Sequence, residues 1–216
     1  MPYHSYIFFD AHPGINTLKN TGAAKKEFAA CALGRKDIRV RAYATLALKS
    51  DTRFMLHLNA AQPAAIQELV RDLLHTRLGK HLNIAYTLLG MTRASQYNPA
   101  KPPKQSAPDT PHRYLVVYPF TKTIEWHLLP YDLRRAMMKA HVDVGRKYSS
   151  TISQLLLYSF GIDDHEFIVS YQMDDLEEFQ TLVMELRGTE GRRYTKSDTP
   201  IFTCVHMPLK EALSML

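Results

Sequence analysis

The chain carries the same succession of structural signals twice. A strand at Tyr6–Asp10 opens residues 1–98, and another at Tyr114–Pro119 opens residues 112–216. Helical stretches follow, at about 19–33 and about 131–148. Each half continues with an apolar run rich in strand formers, Ile38–Lys49 and Thr151–Ile162, and then a turn. The turn carries Asp51 in the first half and Asp163 and Asp164 in the second. Alternating strands come next, Arg53–Asn59 and Glu166–Gln172, followed by amphipathic helices, Ala64–Gly79 and Leu176–Gly191. Closing strands fall near 84–91 and 200–207. The offset is roughly 108–113 residues throughout, as an internal duplication requires.

A β-α-β-β-α-β order buries its apolar faces when two helices pack on one side of an antiparallel sheet. Occurring twice, it predicts an α+β fold of two ferredoxin-like (βαββαβ) repeats forming a dimeric α/β-barrel-type unit. The repeats are assigned to residues 1–98 and 112–216. Between them, Asn98–Pro111 holds five prolines among Ser, Asp, Asn and Lys. Such a segment sustains neither a helix nor a sheet ladder, so 99–111 reads as an exposed Pro-rich linker. Ligand sites in units of this kind lie between a sheet face and its helices, or where units meet.

Composition narrows the function. Apolar residues make up 45% of the 216 and charged residues 22%, which argues against a long disordered chain, collagen or a coiled coil. No apolar run is long enough to span a bilayer, and the first residues lack the pattern of a signal peptide. Cys31 and Cys204 stand far apart in no CxxC or CxxCH setting, which points to reduced thiols in a cytoplasmic protein and excludes a covalently attached c-type haem. The net charge is +6, with thirteen basic against six acidic side chains in residues 1–98 and twelve against fourteen in 112–216. The basic residues are scattered, as on a solvated surface, and are also compatible with a polyanionic ligand. Dinucleotide, phosphate-loop, zinc-protease and serine-hydrolase motifs are missing. So is the aromatic octapeptide of RNA-binding units with this topology, and no nucleic-acid partner is expected.

Five residues are candidates for chemistry. His141 interrupts the helical stripe Leu129, Leu133, Met137, Val144 and Tyr148; it is either a hydrogen-bonded core histidine or a ligand. No second ligating side chain lies one turn away, so zinc is not supported, whereas haem iron needs only one histidine. Gln154 shares a strand face with Ile152, Leu156 and Tyr158, as a rim residue or a ligand contact. Pro119 is expected to stop its strand, leaving Tyr118 and Lys122 at the mouth of whatever the sheet covers, or simply as a strand-end tyrosine and a solvated lysine. Trp126, the only tryptophan, reads by itself as packing.

Taken together, several motifs resemble the chlorite dismutase family of haem proteins, and within it the coproheme decarboxylases. They are Tyr118-Pro-Phe-Thr-Lys122, Glu125-Trp126-His127-Leu-Leu-Pro130, Met137-Met138-Lys-Ala-His141, Gly145-Arg146-Lys-Tyr148, Tyr158-Ser-Phe-Gly161-Ile-Asp163-Asp164-His-Glu166-Phe167 and Leu186-Arg187-Gly-Thr189-Glu190. They span nearly the whole second half, and Thr76–Leu82 fits in the first. The resemblance implies non-covalent haem b or coproheme as cofactor, with His141 as the iron ligand and Gln154 and Trp126 against the macrocycle. Gln154 stands where chlorite-degrading members carry Arg. Tyr118 belongs to a Tyr-Pro motif that chlorite dismutases lack. The implied reaction is peroxide-dependent oxidative decarboxylation of two propionates of iron-coproporphyrin III to give protohaem. Tyr118 would be the oxidised phenol and Lys122 the propionate partner. Coproheme and hydrogen peroxide are the implied partners, and a homo-oligomer, a ring of five, the implied assembly. Arg192, Arg193, Ser197 and Thr199 are candidates for propionates, and Glu190 for orienting His141. Chlorite dismutase or peroxidase-like chemistry, or haem binding without catalysis, are the other readings.

Overall fold

A computed structural model describes residues 2–97, 102, 104 and 108–216. The proposed linker at 99–111 falls largely outside them. Two compact units result.

In the first unit the elements are β1 (Tyr3–Ala11), α1 (Thr21–Leu33), β2 (Ile38–Ala44), β3 (Phe54–Ala60), α2 (Pro63–His75) and β4 (Leu82–Met91). The strands are antiparallel in the order β4-β1-β3-β2. One face of the sheet meets the helices. Ile7 and Phe9, Ala42, and Phe54, Leu56 and Leu58 close there on Phe28 of α1 and Ile66, Leu69 and Leu73 of α2. Phe9 stacks on Phe54 at 4.9 Å, and Phe28 stands edge-on to both rings. Gly79 follows α2 where a Cβ would lie 1.9 Å from the Leu73 carbonyl oxygen, so only glycine fits this tight reversal. On the other face of the strands lies a polar group, with His4 Nδ1 3.0 Å from His57 Nε2 and the Tyr6 ring stacked on His57 at 4.2 Å.

In the second unit the elements are β5 (Tyr114–Lys122), α3 (Ile124–Leu128), α4 (Tyr131–Arg146), β6 (Ser153–Tyr158), β7 (Phe167–Met173), α5 (Leu176–Arg187) and β8 (Thr195–Ser197). The order is β6-β7-β5-β8. Numbered within each repeat, both sheets run fourth, first, third, second, which is the ferredoxin-like arrangement the repeat predicts. β5 does not stop at Pro119. It continues to Lys122, because the fixed φ of proline suits an extended strand and pairing with β7 persists through Phe120 and Phe167.

The chain ends with β9 (Phe202–His206) and α6 (Leu209–Ala212). These residues correct the expected division. β9 pairs with β2, Phe202 stacks on Phe8 at 3.8 Å, and Leu209, Ala212 and Leu213 complete the core around Phe28. The first unit is therefore residues 1–91 with 202–216, and the second is 92–201. The strand signal at 200–207 is real but closes the first unit, while the three polar residues of β8, which offer no apolar signal, fill the fourth place in the second.

Candidate active site in the second unit

The helix-facing side of the second sheet is built from every other residue of three strands. Cross-strand pairing sets Gln154, Tyr171 and Val116 in one row, Leu156, Val169 and Tyr118 in the next, and Tyr158, Phe167 and Phe120 in a third. Tyr118, Gln154 and Tyr171 thus place polar groups on a largely apolar surface. Over β7 the surface is covered, since Val169, Tyr171 and Met173 pack with Leu182 of α5. Over β6 it is not. Gln154 is exposed and Leu156 and Tyr158 half-buried, whereas Leu155 and Leu157, on the other face, are buried.

The helix opposite explains the gap. The counterpart of α4 in the first unit, α1, buries Ala24, Phe28 and Ala32 completely, but α4 seats none of its sixteen residues fully in a core. Leu133 is exposed, and Met137 and His141 of the same stripe are only half-buried. Val144 and Tyr148, at the end of α4, pack against the sheet, so the half-exposed stripe before them and the uncovered face of β6 outline an open cleft with apolar walls. His141 makes no hydrogen bond among the described residues. Burial, with the nearby Lys122 charge, pushes its pKa down, so it is a neutral imidazole with a free lone pair. Arg134 lies two turns earlier on α4. Its Nε, and the hydroxyl of Tyr97, are buried without a hydrogen bond among the described residues. Arg134 and Trp126 stand close enough to Tyr97 to favour its phenolate, against burial that raises its pKa, yet neither is in bonding geometry.

Beside Tyr118 a second basic group forms, where Arg187 and Arg192 both donate to Oδ2 of Asp198 at 3.1 and 2.7 Å. Burial raises the Tyr118 pKa, opposed by the neighbouring Tyr171 hydroxyl and by the two arginines. Lys122 and Trp126 form a packed pair apart from Tyr118. The ammonium donates to the Gly191 carbonyl at 2.9 Å and lies over the indole. Glu190 is exposed and paired with Arg193, so it does not orient His141. The described residues contain no cluster of three or more His, Cys, Asp or Glu able to hold a metal, so any metal at His141 would need most of its ligands from elsewhere. Sequence reasoning missed Tyr171, Arg187, Arg134 and Tyr97. Tyr171 has the only signal, a polar ring in a strand whose alternate positions are Val169 and Met173.

An apolar cleft, with an imidazole on one wall and arginines and phenols about it, marks the candidate site of an α+β protein made of two ferredoxin-like units. A family profile described as chlorite dismutase matches residues 20–207, and the chain belongs to that family. A coproheme decarboxylase of Mycolicibacterium smegmatis is 29% identical over 175 residues, 81% of this chain and 75% of that protein. An arginine-to-lysine variant of chlorite dismutase from Candidatus Nitrospira defluvii is 24% identical, covering 99% of this chain and 94% of that one, with a TM-score of 0.91. The same organism's chlorite dismutase in complex with imidazole gives 0.89 at 24% identity, with the same coverage. No helix among the described residues is long and apolar enough to cross a membrane.

Proposed function

We propose that this protein is a coproheme decarboxylase, converting two propionates of iron-coproporphyrin III to vinyl groups at the expense of hydrogen peroxide. The observation that best supports the reading is His141, without a hydrogen bond among the described residues, on the α4 stripe whose Val144 and Tyr148 pack against the same cluster as Tyr118, on the sheet face that also carries the uncharged Gln154. Coproheme, when bound, is both substrate and, with peroxide, the source of oxidising power. The chain's residues do the rest. His141 offers its lone pair to the iron. Leu133, Met137 and Leu156 exclude water from the macrocycle. Arg187 and Arg192, which leave a net positive charge beside Asp198, take propionates as bidentate partners. Arg134 Nε and the Tyr97 hydroxyl, both without a hydrogen bond among the described residues, suit further carboxylates. Each conversion of a carboxyethyl arm to vinyl releases CO2, one proton and two electrons. Tyr118 gives up its hydroxyl electron and proton and regains them as a hydrogen atom from the β-carbon. For that, its oxygen must lie within contact of the arm. Lys122 has its ammonium on Gly191, so we assign it to the support of Trp126 and the His141 wall rather than to a propionate. Gln154 cannot carry the charge that chlorite chemistry asks of the corresponding arginine.

A homo-oligomer, a ring of five, in the cytoplasm accords with this reading. The test is to load the purified protein with coproheme, titrate peroxide, and follow the Soret band and the product mass. Conversion to protohaem that disappears in Tyr118→Phe supports the proposal. Oxygen release from chlorite, or tight binding with neither reaction, overturns it.

A further inference from the structure

Tyr171 sits at the centre of the cleft face, 5% exposed, with Phe179 on one side at 5.2 Å and Tyr118 on the other. The Tyr118 and Tyr171 rings lie nearly parallel, 25° apart, with centroids separated by 6.2 Å. This is the diagonal cross-strand relationship, in which large side chains on paired strands meet. A phenol buried to this degree needs partners for its hydroxyl. On one side Gln154 Nε2 lies 3.4 Å from Tyr171 Oη. An amide nitrogen only donates, so this contact uses a lone pair of the Tyr171 oxygen and leaves its hydrogen to be placed. The surrounding rows offer Val116, Val169 and Leu156, none of which accepts, and the Tyr118 oxygen.

We propose that Tyr171 is a positioning residue for Tyr118: it donates its hydroxyl hydrogen to Tyr118 Oη and so turns Tyr118's own hydrogen toward the cleft. The inference rests on the reading of Tyr118 as the group that meets the substrate, but the pairing is a property of the protein alone. It gives Gln154 a role as the first donor of a short relay, Gln154 to Tyr171 to Tyr118. The ionisation balance agrees, since Tyr171 favours the Tyr118 phenolate while its own pKa is pushed well up by burial and by Tyr118. A donor fixed on the Tyr118 oxygen stays there when that hydroxyl loses its electron and proton, so the oxygen is held in place through the step.

The test begins without coproheme. In protein labelled with carbon-13 at the tyrosine Cζ, the Tyr118 signal is assigned by its loss in Tyr118→Phe and titrated with base. In Tyr171→Phe the Tyr118 ionisation moves to higher pH. An unchanged or lower titration overturns the proposal and would mean that Tyr171 donates to Gln154 instead. Should Tyr171→Phe fold poorly, 3-fluorotyrosine at 171 keeps the ring and strengthens the donor. Tyr118 then ionises at lower pH, and no movement overturns the proposal. With coproheme and peroxide, Tyr171→Phe lowers kcat about tenfold, the worth of one hydrogen bond, and leaves KM within about twofold. An unaltered kcat also overturns it. If the wild type fails to decarboxylate coproheme, the functional reading falls, while the titration still decides the pairing.

Discussion

The Lys122 ammonium lies 4.2 Å from the centroid of the Trp126 ring, in the pocket where it donates to Gly191. Burial, with Arg192 pushing the same way and Glu166 opposing, lowers its pKa from the usual 10.5 to about 8. For a base whose folded pKa is depressed, the unfolded chain binds the extra proton between the two values. Its contribution to stability is fully present above about 10.5 and lost as pH falls through about 8. Wild-type stability to urea therefore rises across that window, by about 1–2 kcal/mol once the ring contact, which favours the charge, is discounted. In Lys122→Met the rise disappears. Equal slopes in the two proteins would mean the ammonium is solvated after all.

His141 carries a sharper expectation. An imidazole with no hydrogen bond among the described residues and a pKa depressed by burial is a lone pair waiting for an acid, and α4 holds it half-buried at the cleft. His141→Ala is expected to cost no more than about 1 kcal/mol of stability, because the ring is only half-buried and makes no hydrogen bond among the described residues. The coproheme complex of that variant loses its histidine-ligated absorption spectrum. An identical spectrum in variant and wild type would place the iron ligand elsewhere.

The repeat is readable because its strands and helices carry strong periodicity: Ile7 and Phe9, and Phe54, Leu56 and Leu58, fall at every second position, and Ile66, Leu69 and Leu73 share one helical face. β8 was not readable. Thr195, Lys196 and Ser197 have no apolar member, and they become a strand only because Thr121 and Lys122 stand beside them. β9 misled in the opposite sense, since alternation says that a strand exists and not which sheet takes it. Among the candidate site residues, His141 is legible in the sequence as a polar break in an apolar stripe, and Gln154 likewise. Lys122 was visible as a residue type but not as a geometry, because a flexible four-carbon stem reaches a carbonyl or a propionate with equal ease. The pairing of Tyr171 with Tyr118 needs strand register, which single-strand patterns do not contain.

Arg192 and Asp198 give a binding prediction. Two guanidiniums on one carboxylate oxygen leave an excess positive charge, half-exposed, next to Tyr118. Arg192→Gln is expected to weaken coproheme binding about tenfold or more, as for the loss of a charge-assisted hydrogen bond. Asp198→Asn removes the internal competitor and tightens it. Fluorescence quenching titrations on the two variants decide the matter. Equal affinities would show that this basic pair faces away from the ligand.

His57 sets the acid limit of the fold. It is fully buried between the Tyr6 ring and His4, with Asn59 Nδ2 2.8 Å from His4 Nε2. If Asn59 donates to Nε2, the His4 proton sits on Nδ1 and is given to His57 Nε2, so both rings are satisfied only while neutral. Burial, then the charges of His4, Arg41 and Arg39, drives the His57 pKa well below 6.5. The folded value is the depressed one, so the stabilisation is fully present above about 6.5 and drains away as pH falls. Each unmatched proton is worth about 1.4 kcal/mol per pH unit. His57→Gln keeps a polar partner for His4 but cannot titrate. Its stability at neutral pH is expected to fall by about 1–2 kcal/mol from imperfect packing against Tyr6, yet to decline less steeply with acid. Urea midpoints for both proteins in mildly acidic buffers provide the comparison. Parallel acid limbs would assign the loss to other groups, since only the slope, and not the neutral-pH offset, reports a proton taken up at this ring.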